Sequence, residues 1–134
     1  MRTDATDRPA IIFGLQPGAS VTSDMKPLFN GIEEEQTPSA TREIDVADVV
    51  QRAYQSALSS RLSVGIANDG NRFIVHYKNL KEDKPLFDEV ITDRQQLRDL
   101  GSNAARLVKG IPFKGITYKG KETRWTGDFI WCNL

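Results

Sequence analysis

Apolar residues fall at two different spacings along this chain, and each change of spacing marks an element. Ile11, Ile12, Phe13 and Leu15 form a short apolar run opened by Pro9 and closed by Gln16-Pro17-Gly18. Such a run predicts a strand buried on both sides near residues 10–15. Leu28, Phe29 and Ile32 then share one helical face, and Pro27 suits a first turn, so a helix is expected near 24–35. Pro38 holds Thr37 out of the α region and ends that helix. Residues 39–44 are a further strand candidate. Val46, Val49, Val50, Ala53, Ala57 and Leu58 recur at helical spacing, predicting a helix near 46–58 with Asp45 as its cap.

The period then drops to two. Leu62, Val64 and Ile66 alternate with Ser63, Gly65 and Ala67, a strand near 62–67 whose small-residue face admits a close covering helix. Asp69-Gly70 is a hairpin signal, so 72–77 should return antiparallel. Lys78 to Pro85 reads as a charged loop, anchored by Leu86-Phe87. Thr92 or Asp93 can cap a last helix near 92–109, with Leu97, Leu100, Gly101, Ala104 and Val108 on its stripe. Arg106 and Lys109 suit its negative end, and Gly110 and Pro112 stop it. Glycine inside a helix costs ~1 kcal/mol relative to alanine, so Gly101 predicts another backbone passing close by. Together these elements predict an α/β fold: a three-layer sandwich with a mostly parallel sheet, one antiparallel hairpin strand and helices on both faces.

Residues 1–8 read as a flexible N-terminus and 9–113 as the domain. Residues 114–134 differ in kind, with Trp125, Phe129, Ile130, Trp131 and Cys132 among Lys and Gly residues. Either a docked strand pair or a loose tail fits them. The 134 residues carry 18 basic and 18 acidic side chains, no excess to attract phosphate backbones, so nucleic acid is not an expected partner. No apolar run is long enough to span a membrane, and the polar start has no signal-peptide character; an intracellular protein is expected.

Candidate chemistry is sparse. One cysteine, Cys132, and one histidine, His76, exclude a Cys or His metal cluster. His76 lies within a strand and reads as a packed histidine with a hydrogen-bond partner. The Gly-containing turn after the first strand matches neither a dinucleotide nor a Walker motif. No nucleophile elbow or zinc-protease motif occurs. The exception is Glu33-Glu34-Glu35 at a helix C-terminus, where negative charge is disfavoured by ~0.3–1 kcal/mol per group. Either a solvated polar end or a use for that charge outside the segment accounts for it. Neighbouring helical residues point about 100° apart, so one glutamate at most reaches a given ion. Carboxylate oxygens suit magnesium or calcium, and the remaining ligands would come from elsewhere.

Five stretches, in order, resemble a known family: Gly31-Ile32-Glu33-Glu34-Glu35, Ser63-Val64-Gly65-Ile66-Ala67, Val75-His76-Tyr77-Lys78-Asn79-Leu80, Pro85-Leu86-Phe87, and the unbroken run from Asn103 to Phe113. They are similar to the small (beta) subunit of the diol/glycerol dehydratase-reactivating factors, over residues 9–113. The medium subunit of the cobalamin-dependent dehydratase shares the acidic helix end but lacks the Leu107-to-Phe113 ending. The resemblance implies a non-catalytic, cytoplasmic subunit, with a bacterial microcompartment as a further address. It implies a heterotetramer of two large and two small subunits, in which the large subunit binds and hydrolyses ATP. It implies release of damaged cobalamin from inactivated adenosylcobalamin-dependent dehydratase, by exchange of this subunit with the medium subunit. Glu34 is the position matching the family's magnesium ligand at the contact with the large subunit, with Glu33 and Glu35 behind it. Gln36 departs from the glycine the family usually has there. The alternatives are the dehydratase medium subunit itself, or a free-standing flavodoxin-like ligand-binding module.

Overall fold

The computed structural model describes residues 8–113. The expectation for residues 114–134 lies outside them, as do residues 1–7. Five strands form one sheet: β1 (Ile11–Leu15), β2 (Ser39–Glu43), β3 (Val64–Asp69), β4 (Arg72–Tyr77) and β5 (Phe87–Val90). Three helices connect or follow them: α1 (Lys26–Glu34), α2 (Val49–Ser59) and α3 (Arg94–Lys109). A 3-10 turn over Ser23–Met25 leads into α1, which starts at Lys26, just ahead of its apolar stripe. Pro27 stands in its first turn.

Spatial order in the sheet is β2-β1-β3-β4-β5. β1 pairs in parallel with β2 and β3, while β3–β4 and β4–β5 are antiparallel. The expectation of a mostly parallel sheet is therefore corrected: the sheet is mixed, and its antiparallel ladders hold more of the paired residues. Asp69 and Gly70 turn β3 back into β4, as the dipeptide predicts, with Gly70 at φ 63°. The difference lies in β5. Leu86-Phe87 does anchor the charged loop, but the anchor continues as a strand. Leu86 N–H donates to Val75 C=O, and Arg72 pairs with Asp88 through two hydrogen bonds of 2.7 and 2.8 Å. That guanidinium holds the Asp88 carboxyl below its ordinary range.

Side chains alternate across strands, so successive core residues face opposite sides. Ile11, Phe13, Val64, Ile66, Phe73 and Val75 pack in one cluster with Leu28 and Ile32 of α1 and Leu97, Leu100 and Ala104 of α3. Ala67 and Ile74 pack instead with Val49 and Ala53 of α2. Helix α2 comes so close that a Cβ on Gly65 would overlap the backbone of Ala53 and Ala57. The small-residue face of β3 thus does what its sequence suggests. The same holds where α1 crosses α3. A Cβ on Gly101 would overlap the Leu28 carbonyl, and one on Gly31 would overlap the Arg98 carbonyl.

Helix ends follow local chemistry. Asp93 caps α3, its side chain accepting from Gln96 N–H at 2.8 Å, and Gly110 closes it at φ 72°. The cap of α2 is Asp48, not Asp45: it accepts from Gln51 N–H at 2.9 Å. The stretch expected to open that helix is held away from it, because the buried Arg52 guanidinium takes the carbonyls of Val46 and Ala47. Arg52 also donates to Asn68 C=O at 2.6 Å, tying α2 to the end of β3. Leu58 is largely exposed rather than part of the core stripe.

Candidate functional site: the acidic end of the first helix

Helix α1 ends because Pro38 follows and because Gln36 turns left-handed at φ 61°. Gln36 N–H donates to Glu33 C=O, and Thr37 N–H to Ile32 C=O, satisfying carbonyls that the last turn would leave bare. The glutamine therefore adopts the conformation that a glycine would take at no steric cost.

Contacts pair Leu28 with Gly101, Gly31 with Arg98 and Ser102, and Glu35 with Arg106. The two helices thus run in the same direction and end side by side. The basic last turn of α3 lies against the acidic last turn of α1. Arg106 Nε donates to Glu35 Oε2 at 3.0 Å, and Lys109 Nζ lies 4.0 Å from Oε1. Arg106 also reaches Pro112 C=O. Glu34 pairs with Arg98 through Nη2 and Oε2.

These contacts sort three glutamates that the sequence leaves alike. The Glu35 side chain is only 13% exposed and is held by two cations. Glu34 is 36% exposed and shares one oxygen with one arginine. Glu33 is exposed, and no cation among the described residues pairs with it. The triplet is thus partly a neutralised helix end, and Glu35 answers the electrostatic puzzle from within the chain. Sequence reasoning placed Arg106 and Lys109 at a helix end but did not find their partner, and it missed Arg98 altogether. These pairs join residues 64 and 71 positions apart, beyond any local pattern.

No group of three His, Cys, Asp or Glu side chains able to hold a metal occurs among the described residues. Fit to a hard cation is therefore limited to a shared site. Glu34 could give one oxygen, and the other ligands would come from outside the described residues. His76 takes no part. It is fully buried; Nδ1 accepts from Tyr77 N–H at 2.9 Å, and Nε2 lies 3.0 Å from Glu82 C=O. Its ring rests 4.9 Å from that of Tyr54. As expected of a packed strand histidine, it has partners, and it pins the charged loop. Among the described residues, no helix is long and apolar enough to cross a membrane.

Comparison with known proteins gives one answer at several levels. The family model described as dehydratase medium subunit matches residues 8–114. The small subunit of the propanediol dehydratase-reactivating factor of Salmonella typhimurium is 49% identical over 87 residues, 64% of this chain and 75% of that protein. The corresponding Citrobacter freundii protein is 39% identical over 85% of this chain and 97% of its own length. Among solved structures, a diol dehydratase-reactivating factor complexed with ADP and Mg2+ matches with a TM-score of 0.72 and 44% identity, covering 80% of this chain and 98% of that one. A glycerol dehydratase reactivase matches with the same TM-score and 30% identity, over 80% of this chain and 97% of its own. The chain belongs to the dehydratase medium-subunit family, and within it to the small subunits of the dehydratase-reactivating factors.

Proposed function

We propose that this subunit has no reaction of its own and works as the exchangeable part of an ATP-dependent reactivase. In this reading two copies assemble with two large subunits, which bind and hydrolyse the nucleotide. The assembly releases damaged cobalamin from inactivated diol or glycerol dehydratase, when this chain leaves the large subunit and the dehydratase medium subunit takes its place. The work is done in the cytoplasm, within or beside a bacterial microcompartment. One observation carries the reading: the family model is named for the dehydratase medium subunit, while the relatives are small subunits of reactivating factors. Two chains that trade places on one surface need a common fold.

Glu34 is the residue proposed to face the large subunit. Magnesium would supply a double positive charge between carboxylates of the two chains. Glu34 presents one oxygen from a helix end fixed by the α1–α3 crossing. Glu35 keeps that end neutral enough to fold, through Arg106 and Lys109.

The test is rescue. Purified large subunit, this chain, ATP and magnesium are added to dehydratase inactivated by loss of the adenosyl group. With fresh cofactor, turnover should return, and this chain alone should give none. Glu34→Gln should weaken magnesium-dependent assembly about tenfold or more, the scale of losing a charged hydrogen-bond partner. Equal assembly of parent and variant, with and without magnesium, removes Glu34 from the role. The family model's name favours one second reading, the medium subunit of the dehydratase itself. Diol turnover by a dehydratase built with this chain in the medium position would favour that reading.

A further inference from the structure

Glu34 is engaged before any partner arrives. Its Oε2 is taken by Arg98 Nη2, a residue of the same chain. The two side chains are 36% and 46% exposed, so the pair sits in water rather than in the core. The Arg98 backbone packs against Gly31, one turn before Glu34 on α1, and so keeps the base of its side chain beside that carboxylate. A cation entering at Glu34 therefore meets a guanidinium already paired with that carboxylate.

We propose that Arg98 is a built-in competitor for Glu34, an intrachain counter-ion that lowers this chain's affinity for the magnesium-bearing surface of the large subunit. The inference rests on the proposed role of Glu34. Charge repulsion supplies the physics. A guanidinium within hydrogen-bond distance of a carboxylate cancels much of the field that would draw a divalent cation. Breaking the exposed pair costs little, so the effect is a tuning one and not a block. Neighbouring Glu35 shows the contrast. With two cations on it and little exposure, its pair serves the fold; the Arg98–Glu34 pair is open on its outer side. A subunit that must leave as well as bind gains from such a weakening. When the ion departs, Arg98 takes back the carboxylate, so Glu34 does not join Glu33 as a second unpaired charge at a helix C-terminus.

The experiment titrates isolated large subunit with this chain at low salt, with and without magnesium, for the parent and for Arg98→Gln, Arg98→Lys and Glu34→Gln/Arg98→Gln. Arg98→Gln is expected to bind about two- to fivefold more tightly in magnesium, the range that an exposed ion pair allows. Its half-saturating magnesium concentration should fall by a similar factor, and the gain should shrink at high salt. Arg98→Lys should stay near the parent. In the Glu34→Gln background, removing Arg98 should change nothing. Unchanged or weaker binding by Arg98→Gln overturns the inference, as does a gain that survives without Glu34. Thermal unfolding of each variant separates a folding defect from an altered site. A parent chain that ignores the large subunit overturns the underlying reading, and this inference with it. A Glu34→Gln chain that binds as tightly as the parent overturns the assignment of Glu34 alone.

Discussion

At Gln36 a side chain stands where the backbone turns left-handed, at φ 61°. For a residue with a Cβ that conformation costs roughly 1–2 kcal/mol. Glycine would remove the clash but lose more freedom on folding, returning about 0.5–1 kcal/mol of that gain. Gln36→Gly is therefore expected to stabilise the chain by about 0.5–1 kcal/mol, read as a higher denaturant midpoint with unchanged slope. A lower midpoint would mean that the glutamine side chain makes a contact worth more than its strain. The sequence made this residue visible as a departure from the family's usual glycine. It did not show that the helix end keeps the glycine-like turn regardless. The hydrogen bonds to Glu33 and Ile32 explain why: two carbonyls of the last turn need those donors. Arg52 was the opposite case. A charged residue on an amphipathic helix reads as solvent-facing, yet it is 4% exposed because three backbone carbonyls surround its head group.

Among elements, a close approach at Gly101 was legible in the sequence, though not that α1 makes it. A glycine on an apolar stripe has few explanations besides a close neighbour, and Leu28 is that neighbour. Gly101→Val should cost about 1–3 kcal/mol by overpacking, since only backbone atoms stand in the way and they cannot rotate aside. The loss should appear in thermal unfolding, and α2, on the other side of the sheet, should not compensate. A variant as stable as the parent would show that the two helices can separate cheaply. Strand β5 was illegible for a physical reason. It is a four-residue edge strand whose Asp88 and Glu89 interrupt any apolar alternation, and the arginine that pairs with Asp88 lies sixteen positions away. Edge strands tolerate charge on their open side, so hydrophobic pattern alone does not reveal them. The β3–β4 hairpin, by contrast, is encoded in two adjacent residues.

On the scale of the molecule, local signals gave the elements and the hairpin but not the overall balance of strand directions. Helical crossovers separate the parallel neighbours, and direct connections without a helix join the antiparallel ones; one unseen strand was enough to tip the balance. The acidic site divides in the same way. Its charges were legible, and their partners were not, because those lie across a helix crossing. The proposed exchange belongs to whole chains. Dehydratase medium subunit added in excess to a complex of labelled small subunit and large subunit should release the label. Retention of the label at every concentration would argue against a shared docking surface.

Where Gly31 and Gly101 bring two backbones together, no side chain of either glycine spaces the helices apart. On the proposed role of the glutamates, a pull applied there should pass through their ion pairs to α3, and from α3 to the sheet it packs against. The chain should come off a larger neighbour in one movement, like a key withdrawn from a lock, and not by peeling strand after strand.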